Sequence, residues 1–360
     1  MSPVLNFNPG SATLPLEVLE RAKEEFLDFR GTGMSVMEMS HRGKVFMSVA
    51  EETESSLRRL MSIPDSYQVL FLPGGASMMF AAVPLNLLPN GGAAGYVNTG
   101  SWSTKAIAQA KAYADVRVVA SSEGTSFDRV PDRETWDSLD GLEYVHITPN
   151  ETIGGVEFHA EPDVGGVPIV ADMSSNILSK EIDVSKYGVI YAGAQKNIAI
   201  SGLALVVVDS ALVGEAHPMT PAVVNFAQQN KNDSMLNTPN TFAWYLAGLV
   251  FEWLEERGGI AAVEEANKRK ASTLYAAIDG SNFYANPVRP TDRSIMNVPF
   301  TLADAELDQS FLAAADDAGL AGLKGHRSVG GMRASIYNAM PQEGVDALVD
   351  FMREFERTHG

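Results

Sequence analysis

The chain of 360 residues contains no cysteine. Disulfides, thiolate metal sites and cysteine nucleophiles are therefore excluded, and a reducing compartment, the cytoplasm, is the expected location. Basic charge is also scarce. The 27 lysines and arginines face 45 aspartates and glutamates, for a net charge of −18. That balance opposes nonspecific nucleic-acid binding, so no nucleic-acid partner is expected. No uninterrupted run of 18 apolar residues occurs, and no membrane-spanning helix is expected. The opening Met-Ser-Pro-Val-Leu-Asn-Phe lacks a basic region followed by an apolar one, so no secretory signal is expected. Missing motifs narrow the chemistry further. No Gly-x-Gly-x-x-Gly opens the first strand–helix unit, which counts against a dinucleotide enzyme. Gly74-Gly75 is not followed by the lysine of a nucleotide-triphosphate loop. No His-Glu-x-x-His is present, and no metal site is expected.

What is present reads as an α/β protein with two globular parts. An arm rich in Asn, Pro and Gly occupies residues 1–15. A first helix is expected over about 16–29, with Val18, Leu19, Ala22, Phe26 and Phe29 on one face, and a second over about 49–61. Short, continuously apolar strands then alternate with helices: 67–72, 95–98, 116–120, 144–148, 168–172, 189–192 and 203–209. Such strands imply a mostly parallel sheet buried on both faces, in a large domain over 16–257. After Gly258-Gly259 the rhythm changes. A smaller C-terminal α+β domain is expected over 258–360, with strands near 294–300 and 331–337 and a last helix near 342–356.

In an open α/β sheet, ligands sit beyond the carboxyl ends of the strands. Asp172 ends one apolar strand there, and Gln195 and Lys196 end the next. A buried lysine amine can bond to the aldehyde of pyridoxal 5'-phosphate (PLP), and a carboxylate can pair with its protonated pyridine nitrogen. A surface lysine and a capping aspartate would be the reading of either residue alone; the pair at this spacing favours the cofactor. Leu72-Pro73-Gly74-Gly75-Ala76-Ser77 joins a strand to a helix, so the backbone at Ala76 and Ser77 can approach an anion. Trp102, after Asn98-Thr99-Gly100, suits stacking on a ring, or a place in the core. Thr152, in Thr148-Pro-Asn-Glu-Thr-Ile-Gly-Gly, offers a hydroxyl to a phenolic oxygen, or a helix cap. Two His-Arg pairs, His41-Arg42 and His326-Arg327, lie in Gly-rich loops and suit an oxyanion cradle. Arg333 begins a strand of the small domain, where it could clamp a carboxylate.

Together these motifs resemble the phosphoserine aminotransferases, class V aminotransferases of the fold-type I PLP architecture. The resemblance runs nearly end to end. It is carried by Asn6-Phe-Asn-Pro-Gly, Ser40-His-Arg, Thr148-Pro-Asn-Glu-Thr-Ile-Gly-Gly, Ala171-Asp-Met-Ser-Ser-Asn, Tyr191-Ala-Gly-Ala-Gln-Lys-Asn, Leu236-Asn-Thr-Pro-Asn-Thr and Gly325-His-Arg-Ser-Val-Gly-Gly-x-Arg-Ala-Ser-Ile-Tyr-Asn.

The resemblance implies a homodimer with shared active sites. Lys196 would carry PLP, Asp172 would hold its ring nitrogen, Trp102 would stack on the ring and Thr152 would contact the phenolic oxygen. Ala76, Ser77 and Gln195 would bind the cofactor phosphate, joined by Asn237 and Thr238 from the partner. Arg333 would take the substrate carboxylate, and His41, Arg42, His326 and Arg327, several of them from the partner, the substrate phosphate. The implied reaction moves an amino group between L-glutamate and the phosphorylated 2-oxo acid 3-phosphohydroxypyruvate, in serine biosynthesis. The family often also acts on 3-hydroxy-2-oxo-4-phosphooxybutanoate in pyridoxine biosynthesis. Two departures stand out: some members have arginine where this chain has Ser77, and Ser11 replaces a common proline. The alternatives are another class V enzyme, such as an alanine–glyoxylate aminotransferase, and a PLP-binding protein without turnover. The His-Arg pairs argue against the first, and Arg333 with both pairs against the second.

Overall fold

Apolar β-branched runs form the centre of the fold. The computed structural model describes residues 4–360, so residues 1–3 of the expected arm lie outside the described residues. Seven strands make the main sheet: β1 (Tyr67–Gly74), β2 (Ala93–Asn98), β3 (Asp115–Ser121), β4 (Tyr144–Ile147), β5 (Ile169–Asp172), β6 (Val189–Gly193) and β7 (Gly202–Asp209). Their spatial order is β1-β7-β6-β5-β4-β2-β3. β7 runs antiparallel to both of its neighbours, and the other contacts are parallel. The fold class is therefore the expected one, a mostly parallel α/β sheet. Val189, Ile190, Tyr191 and Ala192 are all buried, because helices cover both faces. One face meets α3 (Ala76–Leu87) and α4 (Ser101–Ala110); the other meets α2 (Lys44–Met61) and α6 (Thr241–Glu256). α6 is apolar nearly all round and buried along its length, and Asn240 caps it by accepting from the Ala243 N–H at 3.0 Å.

β1, β2, β4, β5 and β6 point the same way, so the segments that follow them emerge along one edge of the sheet. The Gly75–Ser77 turn, Trp102, Thr152, Asp172 and Lys196 all belong to those segments. A second core is built on β8 (Tyr284–Ala285), β9 (Asn297–Leu302) and β10 (Met332–Ser335), paired antiparallel in the order β8-β9-β10. The last helix, α9 (Gln342–His359), buries Val345, Leu348, Val349, Met352 and Phe355 as one stripe. Burying each such side chain contributes roughly 1.5–3 kcal/mol. α7 (Gly259–Asp279) gives Ile260 and Val263 to the first core and Ala271, Leu274 and Ile278 to the second. The arm joins the second core through Phe7, and Leu5–Asn6 pairs in parallel with Leu320–Ala321.

The first helix differs from its expected span. α1 covers only Leu16–Glu24, and a 3-10 turn follows at Phe29–Gly31. Phe29 is buried but reaches the core from that turn, while Leu19 and Phe26 remain exposed. The apolar spacing thus ran on past the end of the helix. Among residues 4–360, no helix is long and apolar enough to cross a membrane.

Candidate active site

Lys196 follows β6 and turns back into a cavity of about 130 Å³ at the carboxyl edge of the sheet. Ala76, Ser77, Trp102, Thr152, Asp172, Gln195 and Lys196 line it, with Gly75, Thr148, Asn150, Ser174 and Ser175. The Lys196 amine is buried and donates to Thr152 Oγ1 at 2.6 Å. Burial lowers its pKa to about 8, although Asp172 and Glu151 favour the charged form. The amine also lies 5.5 Å from the centroid of the Trp102 ring. Asp172 is buried at the end of β5, and burial raises its carboxyl. Ser174 donates to its Oδ1 twice, from the hydroxyl at 2.6 Å and the backbone N–H at 3.0 Å. Among the described residues Oδ2 receives no hydrogen bond, so it is free for another donor.

The Trp102 segment is fixed by Glu151. This buried carboxylate accepts from the N–H groups of Trp102 (3.0 Å) and Ser103 (2.8 Å) and from the Ser103 hydroxyl (2.8 Å). It therefore caps α4 from a neighbouring loop, where a negative charge suits the helix start. Gly100 leaves room for it, since a Cβ there would come 2.7 Å from the Glu151 carboxyl carbon. Arg333, buried on β10, donates from Nη1 to the Thr152 carbonyl at 3.3 Å. Thr152 is thus the point where the lysine and the β10 arginine meet.

The cavity suits a ring carrying an anionic group. At one end α3 begins at Ala76, and the first N–H groups of a helix lack intrahelical partners. A Cβ on Gly193 would stand 2.7 Å from Gln195 Oε1 and 3.2 Å from the Ala76 nitrogen, so glycine keeps this cradle open. Trp102 Nε1, Thr148 Oγ1 and Asn150 Oδ1, on residues that line the cavity, are buried without hydrogen-bond partners among the described residues. Orphaned buried polar atoms around one cavity point to a polar ligand. The residues present therefore fit PLP: Lys196 for the aldehyde, Asp172 Oδ2 for the ring nitrogen, Trp102 for the ring face, and the Ala76–Ser77 turn with Gln195 for the phosphate.

The remaining expected residues divide into two groups. His326 and Arg327 lie on the 325–331 loop just before Arg333; His326 Nδ1 and Ser328 Oγ are 2.7 Å apart. Burial, then the charges of Arg333, Lys105 and Arg327, lower the His326 pKa. His41, Arg42, Asn237 and Thr238 do not line the cavity. Arg42 instead donates to the Met235 carbonyl at 3.2 Å, which brings the 41–42 and 235–238 segments together. Sequence reading passed over Glu151, Ser174 and Lys105. Ser174 had a signal, as a serine two residues after an aspartate at a strand end. Lys105 had one as well, three residues beyond Trp102 on a helix. Glu151 had only its place beside Thr152.

Comparison with known proteins shows the family of the chain. The sequence profile of the family described as "Aminotransferase class-V" matches residues 4–348. A phosphoserine aminotransferase of Hahella chejuensis is 57% identical over 350 residues, covering 97% of each chain. The structure of the phosphoserine aminotransferase from Bacillus circulans subsp. alkalophilus superposes with a TM-score of 0.97 at 49% identity, over 99% of each chain. That of PLP-bound phosphoserine aminotransferase from Trichomonas vaginalis does so at 0.93 with 41% identity, over 97% of this chain and 99% of that one.

Proposed function

The chain belongs to the class V aminotransferases, among the phosphoserine aminotransferases, and from that membership we propose that it is a PLP-dependent transaminase acting on a phosphorylated substrate. It transfers an amino group reversibly between L-glutamate and 3-phosphohydroxypyruvate, giving O-phospho-L-serine and 2-oxoglutarate. The observation that carries this reading is the single cavity that gathers Asp172, Lys196, Thr152 and Trp102, with Arg333 bonded to the Thr152 carbonyl and His326 and Arg327 on the loop that leads into Arg333.

Bound there, the cofactor supplies an electron-withdrawing ring that stabilises negative charge at the substrate Cα. Asp172 Oδ2 holds the ring nitrogen protonated, and Ser174 keeps that carboxylate oriented through Oδ1. Lys196 Nζ, with its pKa drawn down to about 8, is the general base at Cα. Thr152 Oγ1 positions that amine. Arg333 takes the α-carboxylate, which both amino donors share. His326 and Arg327 take the phosphate, and the burial of Lys196 and Arg333 keeps water away from the reacting atoms.

The enzyme works as a homodimer in this reading. His41, Arg42, Asn237 and Thr238 lie off their own chain's cavity and reach the partner's. Two observations support this. Arg42 donates to the Met235 carbonyl, which ties the 41–42 segment to the 235–238 segment. Leu27, Met34, Met37 and Val45, on the segment leading to and past Arg42, are exposed apolar side chains, Leu27 by 81%.

Rapid mixing with O-phospho-L-serine, L-serine and L-alanine, followed through the cofactor absorbance, tests the reading. Phosphoserine should react faster than the other two by orders of magnitude. Equal rates for phosphoserine and alanine would overturn it.

A further inference from the structure

Lys105 lies on α4 three residues after Trp102, so the two side chains share a face of the helix. Its Nζ is 4.1 Å from the centroid of the Trp102 ring, and Lys196 Nζ is 5.5 Å from the same centroid. The indole therefore connects the amine inside the cavity to a second amine outside it. Lys105 is exposed, and among the described residues it makes no ion pair. Its charge also opposes protonation of His326, together with Arg333 and Arg327.

Trp102, which carries Lys105 on its ring, lines the cavity with Thr152. Arg333 donates to the Thr152 carbonyl at 3.3 Å, and His326 and Arg327 lie on the loop closed just before Arg333 by the Gly325 N–H to the Gly331 carbonyl, so Lys105, Arg333, His326 and Arg327 flank one cavity. None of them meets a carboxylate among the described residues. Arg21, Arg30, Arg59, Arg289 and Arg293, by contrast, each pair with one. Like charges held together without a counter-ion repel, and an anion bound among them removes that repulsion. Arg333 is the innermost, against Thr152, and so is placed for a carboxylate next to the reacting carbon. Lys105 is exposed, a compact point charge on a flexible stem. A lysine at an exposed site can rest on an indole when nothing better is present. A charge-assisted hydrogen bond to a dianion outweighs that contact.

We infer that Lys105 is a specificity-determining residue: its ammonium leaves the Trp102 face and binds the substrate's phosphate beside His326 and Arg327. The inference rests on the amino-transfer reading above, and deepens it by naming a phosphate contact supplied from the Trp102 helix of the same chain. A phosphate carries more charge and more acceptor oxygens than the side-chain carboxylate of glutamate. Loss of Lys105 should therefore weigh more heavily on phosphorylated substrates.

The test is calorimetric binding to the holoenzyme, with D-3-phosphoglycerate and D-glycerate as probes. They differ only in the phosphate, and neither has an amino or oxo group to react. Wild-type enzyme should bind phosphoglycerate far more tightly than glycerate. Lys105→Met should weaken phosphoglycerate by about ten- to a hundredfold, the range for losing one hydrogen bond to a charged group, and leave glycerate as it was. Lys105→Arg should restore most of the loss. Phosphoserine should suffer through KM in the methionine variant, with glutamate affected less. Wild-type affinity for phosphoglycerate in Lys105→Met would overturn the role of Lys105 and leave the amino-transfer reading intact. Equal weakening of both probes would reduce Lys105 to a support for Trp102 and likewise overturn the inference. Failure of the wild type to tell the two probes apart would overturn the reading on which it rests.

Discussion

Lys196 donates to the hydroxyl of Thr152 at 2.6 Å, in a setting where burial lowers its pKa to about 8. The neutral amine is the form that attacks an aldehyde. The rate at which apoprotein acquires cofactor absorbance should therefore rise with pH up to about 8 and level off above it. A lysine near its ordinary value, about 10.4, would keep gaining for two further units. Thr152→Val removes the acceptor that favours the ammonium, so its plateau should begin at lower pH. Stopped-flow absorbance against pH measures both; an unchanged midpoint in the valine variant would show that the hydroxyl does not act on the amine.

Lys196→Ala should abolish the yellow absorbance that borohydride bleaches in the wild type. Peptide mapping of reduced wild-type enzyme should place the pyridoxyl group on Lys196. A label on another lysine would refute the assignment. Asp172→Asn should retain the cofactor and nearly stop turnover, because an amide cannot hold the ring nitrogen protonated. Near-normal turnover would remove that role from Asp172.

Glu151→Gln tests the capping of α4. The amide keeps one acceptor oxygen and turns an NH2 toward groups that are themselves donors. A loss of about 1–3 kcal/mol in unfolding free energy is expected from the unsatisfied groups. Glu151 also favours the charged form of Lys196, so the amine's pKa should fall in the variant. A stability loss with no movement of the absorbance–pH midpoint would confine Glu151 to a structural part.

Sharing of sites between subunits is tested by mixing inactive Lys196→Ala with a Thr238 variant crippled in cofactor binding. Hybrid dimers should regain part of the activity, since each would contain one complete site. Strictly additive behaviour would show that each subunit is self-contained.

Half-reaction kinetics should separate the arginines. Arg42→Ala and Arg327→Ala should lower kcat/KM for phosphoserine by about ten- to a hundredfold, with less effect on glutamate. Arg333→Ala should damage both alike, because both substrates present an α-carboxylate. Equal losses on both substrates in all three variants would mean that the His-Arg pairs do not form a phosphate cradle.

Much of the site was legible in the sequence for one physical reason. A buried parallel strand is a short apolar run, and the polar residues that follow it must stand at the sheet edge. That logic placed Asp172, Gln195, Lys196, Trp102 and Thr152. It could not order the strands, so the antiparallel insertion of β7 between β1 and β6 was not read. It also overextended α1 to Phe29, because Phe29 returns to the core from a 3-10 turn that keeps the apolar spacing. Glu151 was missed because its partners, Trp102 and Ser103, lie far away in sequence, and a cap supplied by another segment leaves no local pattern. In the proposed homodimer the places of Arg42 and Thr238 depend on a second subunit, which periodicity within one chain does not describe.

The most direct test of the account is a steady-state comparison of amino acceptors with L-glutamate as donor, detecting 2-oxoglutarate and the new amino acid by mass. With 3-phosphohydroxypyruvate the enzyme should form O-phospho-L-serine at a kcat/KM orders of magnitude above that for glyoxylate or pyruvate. A kcat/KM for glyoxylate equal to or greater than that for 3-phosphohydroxypyruvate would contradict the account.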